Sequence, residues 1–198
     1  MNIVTKRFGL AAAVTAALAL MTAGRVEAST VITLEQSGSN VVMTGSGSLN
    51  ITGMTFDTSG LVNAGVTPGE AGAFPGALSA NVDIYLGLTG PTSFGSGGFI
   101  SASSGSGGLF GVQGNGGFLE VPMGYVSGAS LSATDTFNNK TLSGLGLTPG
   151  TYTFNLPHDT LTVEIGVAAV PEPSTLTMAS IGALTLAGCA RRRRRVRA

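Results

Sequence analysis

The sequence predicts an all-β protein: one β-sandwich or jelly-roll-like domain of about ten short strands, with an apolar helix at either end of the chain. Three observations carry that prediction. Short runs alternate apolar and polar residues, as a half-buried strand requires. Turn-forming residues separate them, drawn from 31 glycines and eight prolines. No stretch between the two ends keeps a helical period of apolar positions.

The first helix belongs to a leader. Lys6 and Arg7 precede an apolar run from Phe8 to Ala23, and Val26-Glu27-Ala28 supplies the small-x-small pattern of a signal-peptidase site, which places cleavage between Ala28 and Ser29. The chain then divides into a signal peptide (1–28), an exported β-rich domain (29–169) and a C-terminal tail (170–198).

Along the domain, Val31 to Gln36 alternates with Ile32 and Leu34 on one face, and Asn40 to Met43 and Leu49 to Phe56 follow as strands. Ser37-Gly38-Ser39, Gly45-Ser46-Gly47 and Gly105-Ser106-Gly107 are expected as turns. Ser59 to Gly76, broken by five glycines and two prolines, is expected to be a long connection between sheets. Val82 to Leu88 is a strand. From Ser93 to Gly117 the chain is glycine-rich, and the apolar pairs around Phe99-Ile100 and Leu109–Val112 argue for short strands joined by turns. Phe118–Val121, Gly124–Val126 and Leu131–Phe137 continue the pattern, Asn138-Asn139 makes a tight turn, and Leu142–Leu147, Thr151–Leu156 and Thr160–Val167 complete it. Gly146 to Phe154, GLTPGTYTF, resembles the approach to a tyrosine corner in fibronectin-like sandwiches, with Tyr152 as the tyrosine.

Charge narrows the function classes. The domain carries eight acids (Glu35, Asp57, Glu70, Asp83, Glu120, Asp135, Asp159, Glu164) against Lys140 alone, a formal charge of −7. Such a surface repels nucleic acid, so no nucleic-acid partner is expected. The only cysteine, Cys189, lies in the tail, so no disulfide staples the domain.

The inventory for catalysis is thin, and no catalytic, cofactor-binding or metal-ligating residue is assigned. His158, the only histidine, sits beside Asp159, but neighbouring strand residues point apart and no Gly-x-Ser-x-Gly elbow leads into a helix. It is expected to be a turn residue. Scattered acids such as Asp57, Asp83 and Asp135 are the candidates for one calcium ion, although none stands at ligand spacing. No cofactor is expected.

The tail is the informative segment. Val170, Pro171, Glu172, Pro173 and Ser174 open it; Ser174 to Ala190 is an uncharged run of 17 residues; Arg191, Arg192, Arg193, Arg194, Arg195 and Arg197 close it. In a helix the run rises roughly 25 Å, close to the ~30 Å hydrocarbon core, so it can serve as a transmembrane helix. Six arginines behind it act as a topology anchor, held in the cytoplasm with the β domain on the far side. Each proline fixes φ and removes an amide donor, which keeps the motif extended and reachable. Leu186-Ala187-Gly188-Cys189 spells a lipobox, but at the wrong end of the chain for lipidation.

This three-part tail resembles the PEP-CTERM protein-sorting signal. The resemblance implies a membrane-embedded exosortase as partner, acting as protease or transpeptidase at Pro171–Pro173, alongside signal peptidase at Ala28. The expected function is that of a non-enzymatic exported protein, held briefly in the inner membrane by its C-terminal helix and ending at the cell surface or in the extracellular matrix, with extracellular polysaccharide as a candidate partner. The alternative is a secreted glycan-binding module or polysaccharide-active enzyme, disfavoured by the absence of tryptophan.

Overall fold

The computed structural model describes residues 30–167. They form eleven strands: β1 (Thr30–Ser37), β2 (Asn40–Ser48), β3 (Thr55–Thr67), β4 (Gly72–Leu86), β5 (Ile100–Ser101), β6 (Ser104–Gly107), β7 (Gly111–Gln113), β8 (Phe118–Pro122), β9 (Ser130–Phe137), β10 (Gly150–Leu156) and β11 (Asp159–Ile165). One 3-10 turn, Pro68–Glu70, joins β3 to β4, and the described residues contain no α-helix. The all-β expectation holds; the two terminal helices, the signal peptide and the tail fall outside the described residues.

The strands make two sheets. One runs β10-β11-β1-β2-β9-β6; the other runs β5-β3-β4-β7-β8, with β8 also pairing β4. Since β7 pairs the start of β4 at Gly72 and Ala73 while β8 pairs its end from Val82 to Leu86, the second sheet closes on itself along that side. All pairs are antiparallel except β1 with β11, where Thr30 lies beside Leu161 and Leu34 beside Ile165. A parallel pair needs a crossover, and here the whole domain between first and last strands supplies it. The last backbone bond runs from the Gly166 N–H to the Leu34 carbonyl at 2.8 Å.

Alternation explains the core. Ile32, Leu34, Val41, Met43, Leu161, Val163 and Ile165 point inward from the first sheet and are fully buried, while Val31, Thr33 and Glu35 stay at the surface. Phe94, Phe110, Phe137 and Phe154 fill the space between, each worth about 1.5–3 kcal/mol in burial. Tyr152 packs on Phe94 with ring centroids 4.8 Å apart and donates its hydroxyl to the Thr148 carbonyl at 2.9 Å, as a tyrosine corner does. Asn138-Asn139 forms the expected turn, with Asn139 at φ 54°.

Several local expectations are corrected. Ser59–Gly76 is not a connection; it contributes to β3 and β4, the longest hairpin of the fold. Its breakers are absorbed by a bulge: Asn63 pairs Ser79 and Gly65 pairs Phe74, so Pro75–Leu78 on β4 face only Ala64 on β3. Gly45-Ser46-Gly47 and Gly105-Ser106-Gly107 are strand, not turns. Their glycines permit close approach, since a Cβ at Gly45 would strike the Phe110 ring and Pro75, and one at Gly105 would strike the Gly76 carbonyl and the Asp135 carboxyl. Conversely, Leu49–Met54, Gly124–Val126 and Leu142–Gly146 are loop and turn. Their backbone groups bond locally or to side chains: Leu145 donates to the Thr141 carbonyl at 2.9 Å, and Leu49 donates to the Tyr125 hydroxyl at 2.9 Å.

Candidate functional site

The residues expected to direct sorting are Val170, Pro171, Glu172, Pro173, Ser174, Arg191–Arg195 and Arg197. These, with Ala28 and Ser29 at the leader junction, lie outside the described residues. Within the described residues, no helix is long and apolar enough to cross a membrane.

His158 occupies the turn between β10 and β11. Asp159 next to it does not orient the imidazole: its Oδ2 accepts from the Asn50 N–H at 2.7 Å and its Oδ1 from the Thr160 N–H at 2.7 Å. Asp159 therefore serves to fasten the Leu49–Met54 loop. Around it Ser127 donates to Asn50 Oδ1 at 3.0 Å, the Ile51 N–H donates to Ser127 Oγ at 3.1 Å, and the Tyr125 hydroxyl donates to the Ala129 carbonyl at 2.6 Å. All three bonds hold loops together.

The calcium candidates are not brought together either. Asp57 is exposed on β3. Asp83 on β4 accepts from the Ser59 hydroxyl at 2.6 Å and the Gly124 N–H at 2.8 Å, bonds that stabilise the carboxylate and hold its pKa below the ordinary value. Among the described residues no group of three or more His, Cys, Asp or Glu is placed to hold a metal ion.

Two acids stand apart. Asp135 on β9 is 1% exposed, and its Oδ1 accepts from the Gly76 N–H at 3.2 Å across the gap between sheets. Its Oδ2 is buried without a hydrogen-bond partner. Burial raises its pKa to about 7, with the Gly76 bond opposing. Glu120 on β8 is 5% exposed, its Oε2 likewise unpartnered, and burial alone raises it to about 7. Read from sequence, both count among the charges of the domain. For Asp135 a signal exists: it falls in the inward phase of Leu131, Ala133 and Phe137. For Glu120 there is none, because β8 also buries Leu119 and Val121, its neighbours on the opposite phase.

Neither a curated protein nor a solved structure matches the chain. A family model does match, that of the PEP-CTERM protein-sorting motif, over residues 169–195. That interval begins just past Gly166, where the compact β unit ends, and takes in the Pro-Glu-Pro, the apolar run and the first five arginines. The C-terminal segment is therefore a PEP-CTERM sorting motif, and the chain that carries it is an exported protein addressed to an exosortase.

Proposed function

We propose that the chain is a non-enzymatic protein of the cell surface or extracellular matrix, in which the β domain is cargo and the tail from Val170 to Ala198 is its address. The observation that supports this most is the order of parts: the domain completes its last strand pair at Gly166, and the sorting motif follows from residue 169. Signal peptidase releases the leader at Ala28. The apolar run then halts in the inner membrane against its arginines, and the exosortase cuts near Pro171–Pro173. The non-enzymatic reading is supported by the use of Asp159, Ser127 and Tyr125 as loop fasteners, and by the sinking of Asp135 and Glu120 away from solvent.

The test replaces Pro171, Glu172 and Pro173 with alanine and follows fractionation. Retention of the domain in the inner membrane is expected. Unchanged release to the surface or medium would remove the motif from the pathway.

One observation favours a second reading, a glycan-binding module. Phe56, 53% exposed, stands edge-on to Tyr85 at a centroid distance of 5.7 Å on the β3–β4 ribbon. Retention of the protein by extracellular polysaccharide, lost on Tyr85→Ala, would establish it.

A further inference from the structure

Edges of β-sheets expose unpaired N–H and C=O groups, and folded proteins shorten, cover or close them. This domain treats nearly all its edges that way. The first sheet ends on one side at β6, only four residues long, and on the other at β10, where Thr89 and Asn155 exchange two backbone bonds of 3.0 and 2.7 Å. The second sheet closes through β7 and β8 on one side.

The exception is β3. Its far side is paired by β5 only at Gly65 and Val66, so on that side Thr55–Asn63 borders no strand among the described residues. A bulge at its start sets Asp57, its one charge, out of register with β4, since Phe56 pairs Tyr85 and Thr58 pairs Ile84; beyond it Thr58–Asn63 pairs Ile84–Ser79 without interruption and has no proline and no charge to blunt it. It is also largely exposed, with Leu61 at 70%.

We infer that this edge is a self-association surface, at which a second copy of the chain adds its own β3 antiparallel. Charge and symmetry select that occupant. A domain of formal charge −7 meets its like most easily where it is nearly neutral, and this edge bears one acid in nine residues. An antiparallel edge is its own complement: a two-fold axis at Gly60 sets Thr58 opposite Val62, Ser59 opposite Leu61 and Gly60 opposite its own copy, all within the regular part of the strand. In that register each Asp57 lies beyond the paired stretch, and the two aspartates are offset by six residues, roughly 20 Å, beyond the ~8 Å screening length at physiological salt.

The experiment uses the full chain in detergent with Cys189→Ser. Sedimentation should give a dimer, weakened at least tenfold by Leu61→Lys, a change at an exposed site that leaves the circular dichroism spectrum unaltered. Ser59→Cys should be joined to itself by a short thiol cross-linker, while Ser39→Cys, on the β1–β2 turn, should not. A monomeric wild type would overturn the proposal. So would a dimer that survives Leu61→Lys with Ser59→Cys unlinked, or cross-linking of Ser59→Cys in cell extracts to a different protein instead.

Discussion

The Asp135 carboxyl on β9 and the Gly76 N–H on β4 meet at 3.2 Å, and this contact ties the two sheets together at the β4 bulge. Pro75–Leu78 swing out of register with β3 at that point, and the space into which they swing exists because Gly105 has no side chain.

Stability should therefore rise as pH falls from 8 to 5. In the folded state Asp135 and Glu120 have pKa values raised to about 7, from unfolded values near 3.8 and 4.5. An acid so shifted favours folding fully only below its unfolded pKa. That contribution declines as pH climbs toward 7 and is absent above it, a change of a few kcal/mol per group. Asp83, held low, acts oppositely and loses its contribution as pH drops below its unfolded value. Denaturant midpoints at pH 5 and pH 8 check this; equal midpoints would contradict it.

Asp135→Asn keeps the shape and removes the titration. The variant should equal or exceed the wild type at pH 8 and show a smaller rise between pH 8 and pH 5, the residue of that rise belonging to Glu120. A full wild-type pH dependence in the variant would dissociate Asp135 from it.

Gly105→Ala should destabilise by about 1–3 kcal/mol, because the new methyl meets a backbone carbonyl and a buried carboxyl that cannot both withdraw. Gly60→Ala is the control, since nothing lies within 4 Å of a Cβ there. Thermal unfolding of the two variants separates them.

Among the tyrosines, Tyr125→Phe should cost more than Tyr152→Phe. The first leaves the part-buried Leu49 N–H without its acceptor, worth about 1–3 kcal/mol; the second forfeits one exposed bond to Thr148, about 0.5–1.5 kcal/mol. Denaturant titration of both, with hydrogen exchange at Leu49 as local readout, tests the order.

What the sequence discloses of this fold depends on whether a signal is local. The inward phase of Ile32 and Leu34, the turn at Asn138-Asn139 and the corner at Tyr152 rest on neighbours a few residues away, and each stands in the structure. Gly45 and Gly105 mislead because their reason is non-local: they make room for Phe110, in the segment between β6 and β7, and for Gly76 on β4 of the opposite sheet. Leu49–Phe56 has the composition of a strand, yet Asn50 and Ile51 bond to Asp159 and Ser127, more than 70 residues away. The sorting motif is legible throughout, since its chemistry is carried by consecutive residues.

The terminal masses of the protein recovered from the surface or medium bear most directly on cargo and address. Top-down mass spectrometry should find a chain beginning at Ser29 and ending near Pro171–Ser174, with Arg191–Arg195 gone. Recovery of the folded domain from the cytosol with Met1 and Ala198 both in place would contradict the account.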